Sequence, residues 1–99
     1  MKKRINGKIY NTDTADRIAT WDNGRNGTDF DYVWKVLYQK RDGEFFLYAE
    51  GGARTIYSKL VRDGWVSGAE VIEPMTVEEA KSFAKGLISD EEFNAVFNK

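Results

Sequence analysis

Tyr32-Val33-Trp34-Lys35-Val36-Leu37-Tyr38-Gln39-Lys40-Arg41-Asp42-Gly43-Glu44-Phe45-Phe46-Leu47-Tyr48-Ala49-Glu50 decides the fold. Two runs rich in β-branched and aromatic residues flank Arg41-Asp42-Gly43, which predicts a hairpin of strands 32–40 and 44–50. Two registers fit. A two-residue Asp-Gly turn sets Trp34, Val36 and Tyr38 on one face with Phe45, Leu47 and Ala49. A three-residue loop with a glycine bulge sets them with Phe46 and Tyr48 instead. In either register both faces carry large apolar side chains, so both need cover from the rest of the domain or from a partner.

Toward the N-terminus, Asn6-Gly7 between Lys3–Ile5 and Lys8–Tyr10 signals a second hairpin, since both turn positions tolerate positive φ. The next stretch reads as a helix of about three turns ending at Gly24. Thr12 or Asp13 would cap it, Asp13 and Asp16 suit its positive end, and Ala15, Ile18 and Trp21 fall on one stripe. Residues 22–31 form a polar loop.

Toward the C-terminus, Gly51-Gly52 ends the hairpin, and residues 53–66 have no clear periodicity. Ala69–Glu73 alternates as a strand, with Pro74 as its stop. Thr76-Val77-Glu78-Glu79 and Ser89-Asp90-Glu91-Glu92 are both capping boxes, with Met75/Ala80 and Ile88/Phe93 at the staple positions. They predict helices over 77–86 and 90–97, with Phe83, Leu87, Phe93, Val96 and Phe97 against the sheet. The expected fold is α+β: a small antiparallel β-sheet packed with one N-terminal helix and one or two short C-terminal helices. The 99 residues make one domain, 1–99, and the 41% hydrophobic content supplies its core.

Much chemistry is missing. With no His, the commonest general base and metal ligand are gone; with no Cys, so are thiol nucleophiles and disulfides. Neither phosphate-cradling glycine motif occurs. Asp22-Asn23-Gly24-Arg25-Asn26-Gly27 fits a calcium loop at its first, fifth and sixth positions. Gly24 and Val33 stand where an EF-hand needs ligands, so a plain Gly/Asn loop is the better reading. The acidic sets Asp13/Asp16, Glu78/Glu79 and Asp90/Glu91/Glu92 are explained by helix starts rather than by an acid–base pair. No catalytic residue, cofactor or metal site is expected. A carboxylate-dependent hydrolase, testable through Glu50→Gln or Asp42→Asn, has no positive support.

Lys and Arg total 15 and Asp and Glu total 16, so the overall charge implies no polyanionic partner. Its distribution is uneven: about +1 over residues 1–34, +3 over 35–62 and −5 over 63–99. The basic middle is interleaved with Tyr38, Phe45, Phe46, Tyr48 and Tyr57, a composition compatible with single-stranded nucleic acid. The string 41–48 is superficially like an RNA-binding strand motif, but Asp42 and Glu44 suit a phosphate-facing surface poorly. Strand aromatics in a small domain usually form core. The basic N-terminus has no apolar run behind it, and no stretch reaches the roughly 20 apolar residues of a spanning helix. A cytoplasmic location without membrane contact is expected.

The chain also resembles a family of small proteins encoded by phages and integrated mobile elements of bacteria. The likeness rests on 6–15 (NGKIYNTDTA) followed by Trp21, on Leu37-Tyr38, and on 43–52 (GEFFLYAEGG). It continues through Ser67-Gly68 and 72–80 (IEPMTVEEA), leaving 53–66 as the segment where such proteins vary. Members of this kind have been nominated as anti-CRISPR inhibitors. The resemblance implies no catalytic residues. It implies a stoichiometric inhibitor whose partner is a host CRISPR-associated protein or effector complex, with direct nucleic-acid binding as the alternative. The expected contact surface is Arg54, Tyr57, Lys59, Arg62 and Trp65, with Glu50, Gly51 and Gly52 shaping the turn. Homodimerisation through the two-sided hairpin is compatible with every reading.

Overall fold

In the computed structural model, residues 1–25, 30–52, 59–60, 66–67 and 69–98 are described. The 32–50 stretch forms β4 (Val33–Gln39) and β5 (Phe45–Gly51). Val36 opposes Tyr48 and Tyr38 opposes Phe46, which selects the three-residue loop. Lys40 N–H donates to Glu44 O at 2.7 Å, and Gly43 takes the left-handed φ of +94° that closes such a bulged turn. Asp42 Oδ1 accepts from Glu44 N–H at 2.9 Å and fixes the corner.

β4 and β5 are the interior of a four-stranded antiparallel sheet of order β3-β4-β5-β8, with β3 at Asp16–Asp22 and β8 at Ala69–Met75. This corrects two sequence expectations. Residues 16–22 are strand, not helix. Asn11, Thr12 and Asp13 make a turn rather than a cap: Asn11 Oδ1 accepts from Asp13 N–H at 2.9 Å, and Asn11 O from Ala15 N–H at 3.2 Å. A strand wins because β4 is apolar on both faces and, with β3 beside it, has a ladder on both edges; Ile18, Thr20 and Trp21 suit that role. Pro74 does not stop the last strand but lies inside β8, opposite Phe46. An edge strand tolerates proline because its outer side has no ladder bond to lose.

The sheet is covered on both faces. Val36, Tyr38, Phe46, Tyr48 and Ile72 pack under Tyr10, with Ile5, Ala15 and Trp34 at the margin. Ile5 and Tyr10 come from the N-terminal hairpin of β1 (Lys2–Ile5) and β2 (Lys8–Asn11), whose turn forms as expected with Asn6 at φ +52° and Gly7 at +80°. On the opposite face, Ala19, Leu37 and Phe45 meet Ala80 and Ala84 of α1 (Val77–Ala84). Phe83, Ile88 and α2 (Asp90–Phe97) complete that layer, where Phe97 stacks on Phe45 with ring centres 5.2 Å apart. Both capping boxes are present, with Thr76 and Ser89 as caps. Leu87, expected against the sheet, is 38% exposed because Gly86, at φ +84°, turns the chain between the helices.

Two short strands, β6 (Lys59–Leu60) and β7 (Val66–Ser67), pair with each other in a separate ladder. The other residues of the 53–66 segment lie outside the described residues. Among those described, no helix is long and apolar enough to cross a membrane.

Candidate functional site

The N-terminal hairpin covers the turn end of its face, and Met1, Thr12 and Asp13 edge the depression toward the far end. At the covered end Lys8 Nζ meets Glu44 Oε1 at 2.7 Å, and Lys40 Nζ lies 4.7 Å from the Tyr10 ring centre. At the far end, register gathers Asp22 from β3, Trp34 from β4, Tyr48 and Glu50 from β5, and Glu70 from β8 on one side of the sheet. Side chains two apart on a strand share a face, so this grouping follows from pairing alone.

Tyr48 is the centre of the group and is only 8% exposed. Its Oη lies 2.7 Å from Glu50 Oε2 and 2.6 Å from Glu70 Oε2. A phenol has one proton to give, so it serves one carboxylate at a time. Tyr32, just before β4, lies close enough to Glu50 for the carboxylate to act on its phenol. Trp34 stands edge-on to Tyr48, ring centres 5.7 Å apart, and the Arg17 guanidinium lies 5.8 Å from the Trp34 ring centre. A shallow depression of about 440 Å³ runs between Arg17, Trp34, Tyr48 and Glu70; another of about 440 Å³ lies between Asp22, Tyr32, Trp34 and Glu50. Trp34 is the wall they share.

Burial, followed by the hydrogen bonds to Glu70 and Glu50, raises the Tyr48 phenol well above the usual tyrosine range. Burial, then the Glu50 charge, raises Tyr32 as well. A folded-state value above the unfolded one means that these phenols stabilise the fold below the ordinary value of 10.0 and lose that contribution as pH climbs above it. Urea midpoints should therefore fall steeply between about pH 10 and 12, and Tyr48→Phe should flatten the fall. An equally steep fall in Tyr48→Phe would remove this phenol as a cause.

Of the residues expected at a contact surface, Glu50 is half-buried and belongs to this cluster. Gly51 and Gly52 are buried. Gly52 N–H donates to Tyr32 O at 3.0 Å, so the pair shapes the strand exit rather than offering a surface. Lys59 lies in β6. Arg54, Tyr57, Arg62 and Trp65 lie outside the described residues. From the sequence, Trp34 and Tyr48 read as core strand residues, and nothing there marks Tyr32 or Glu70. Once β5 and β8 are aligned, Glu50 and Glu70 fall directly opposite each other, and that like-charged pair is the signal.

The 22–25 loop is held by its own side chains. Asp22 Oδ1 accepts from Gly24 N–H at 2.7 Å, and Asn23 Oδ1 from Val33 N–H at 3.1 Å. Among the described residues, no group of three or more acidic side chains is placed to hold a metal ion. Comparison with protein-family models, curated proteins and solved structures returned no match.

Proposed function

We propose that the chain is a non-enzymatic binding protein, an anti-CRISPR inhibitor that occupies a surface of a CRISPR-associated nuclease or effector complex. The role comes from the phage and mobile-element resemblance. The observation that carries the binding reading is the far end of the hairpin-side face, where the half-buried Tyr32 and Trp34 are fixed beside or on a rigid strand next to charged groups. Trp, Tyr and Arg dominate interface energetics, and a ring held by a sheet loses little entropy on binding. The contact residues expected from the sequence, Arg54, Tyr57, Lys59, Arg62 and Trp65, follow Gly52 in the chain and belong to the proposed surface.

The alternative is a nucleic-acid-binding accessory protein. Lys2, Lys3 and Arg4, all exposed on β1, favour it. Tyr38, Phe45, Phe46 and Tyr48 do not, because these rings are buried and unavailable for base stacking.

A tagged pull-down from cells carrying CRISPR systems, read by mass spectrometry with and without nuclease treatment, separates the two. The expected result is one CRISPR-associated protein that survives nuclease treatment. Reversing charge at Arg54 and Arg62 should then abolish inhibition while far-ultraviolet dichroism stays unchanged. Mixed proteins that vanish on nuclease treatment, from a complex that weakens steeply with salt, would instead establish the nucleic-acid role.

A further inference from the structure

The four-stranded sheet ends in two unlike edges. On β8, Glu70, Glu73 and Pro74 are exposed, and a proline has no N–H to offer a further strand. On β3 the one irregularity is the bulge between Arg17 and Ala19, beyond which the strand runs regularly to Asp22. Asn23 N–H donates to Val33 O at 3.2 Å. The alternation of an antiparallel ladder then turns the backbone N–H and C=O of Thr20 and Asp22 away from β4. The bond from Lys40 N–H to Glu44 O on the other side of β4 sets the same alternation. Arg17, Thr20, Trp21 and Asp22 are all exposed, and no strand pairs with this edge among the described residues.

We infer that the β3 edge pairs with the β3 edge of a second copy of this chain, antiparallel and with Thr20 on the two-fold axis, so that two sheets become one. Charge selects the occupant. Counting outward from Thr20, Ala19 falls opposite Trp21 of the second copy. With Ile18 left out by the bulge, as it is against β4, Arg17 falls opposite Asp22 of the second copy. Arg17 and Asp22 stand on the hairpin side of the sheet, beside Tyr38 and Trp34, so both opposite-charge pairs form on one face, twice by symmetry. Asp16 meets Asn23 of the second copy, and no like charges are opposed. A parallel arrangement loses this match.

The central pair is Thr20 with itself, a favourable cross-strand combination. On the helix side, the Trp21 ring extends over Ala19 of the second copy. That ring is 40% exposed in the single chain even with Lys35 Nζ 5.7 Å from its centre, and pairing gives it cover. The overlap is short, so the dimer is weak and exchanging rather than permanent. The inference goes beyond the inhibitor reading and does not depend on it.

Sedimentation of the full chain from about 10 μM to about 1 mM, the range in which so small an interface dissociates, should show a mass rising from one chain toward two. Over the same series the Thr20 and Asp22 amide resonances and the Trp21 indole should shift together. Arg17→Asp opposes two carboxylates at both ends and should weaken the dimer about tenfold or more. Arg17→Asp/Asp22→Arg restores opposite charges in reversed order and should bring the dimer back. Asp22 Oδ1 also accepts from Gly24 N–H, so unfolding temperatures are measured alongside. Thr20→Pro is the second variant: it deletes an outward N–H that β4 does not use, and should abolish pairing without that loop change.

A chain that stays monomeric at the highest concentration would overturn the inference. So would a dimer indifferent to both Arg17→Asp and Thr20→Pro, a well-folded charge swap that remains monomeric, or shifts centred on β8 or the N-terminal hairpin. An extended peptide that adds to the β3 edge of a chain showing no self-association would assign the edge to a partner's strand, and would overturn it as well.

Discussion

Phe46→Ala should destabilise the protein by about 3–5 kcal/mol, the cost of deleting a fully enclosed ring whose surroundings relax only in part. Phe46 is 0% exposed, stacks on Tyr38 at 5.2 Å and meets Tyr10 edge-on at 5.4 Å. It therefore joins the sheet to the N-terminal hairpin. Domains of this kind have about 5–15 kcal/mol of stability in all, so the loss would be a large fraction of the total. Urea unfolding should show a much lower midpoint with an unchanged slope. Amide exchange in Lys8–Asn11 should accelerate more than in α2, since the hairpin loses its main anchor. A midpoint within error of the parent would mean that the hairpin is not held through this ring.

Ala80→Phe should act on the other face by the opposite route, through excess volume. Ala80 and Ala84 are both 0% exposed, and α1 rests on Leu37 and Phe45 through their methyl groups. A ring at position 80 has no cavity to enter, so α1 must lift or its neighbours must leave their rotamers. Overpacking of this sort costs about 1–3 kcal/mol, and more when a whole helix is displaced. Near-ultraviolet dichroism should weaken while far-ultraviolet helix content persists, since Thr76 and Ser89 still cap their helices. An unchanged midpoint together with unchanged near-ultraviolet bands would show that the helix layer is looser than its contacts imply.

How much of this was legible depended on how locally each feature is determined. Asn6-Gly7 and the two capping boxes are completed within a few neighbouring residues, and the turn and both helices stand where their sequence places them. Strand β3 is hidden in the sequence for a specific reason. Its bulge lies between Arg17 and Ala19, so Ile18 and Ala19 both turn toward the helices, and Trp21 follows on that side. The apolar positions 18, 19 and 21 therefore never alternate, while 15, 18 and 21 mimic a helical stripe. The register of β4 against β5 was undecided because either alternation buries large apolar groups; the conformation at Gly43 settles it. The Glu50–Glu70 pair required still more, since residues far apart in sequence meet only after β8 has aligned with β5.

That alignment has a practical side. Gly51 and Ala69 are cross-strand partners, so the chain leaves the sheet and re-enters it at adjacent positions. The cost of closing a loop grows only slowly with its length, by about 0.6 kcal/mol per doubling. The pairing at this exit therefore places little constraint on how many residues connect Gly52 to Ala69. A protein engineer would be able to lengthen or shorten that connection while the strand pairing on either side stayed constant.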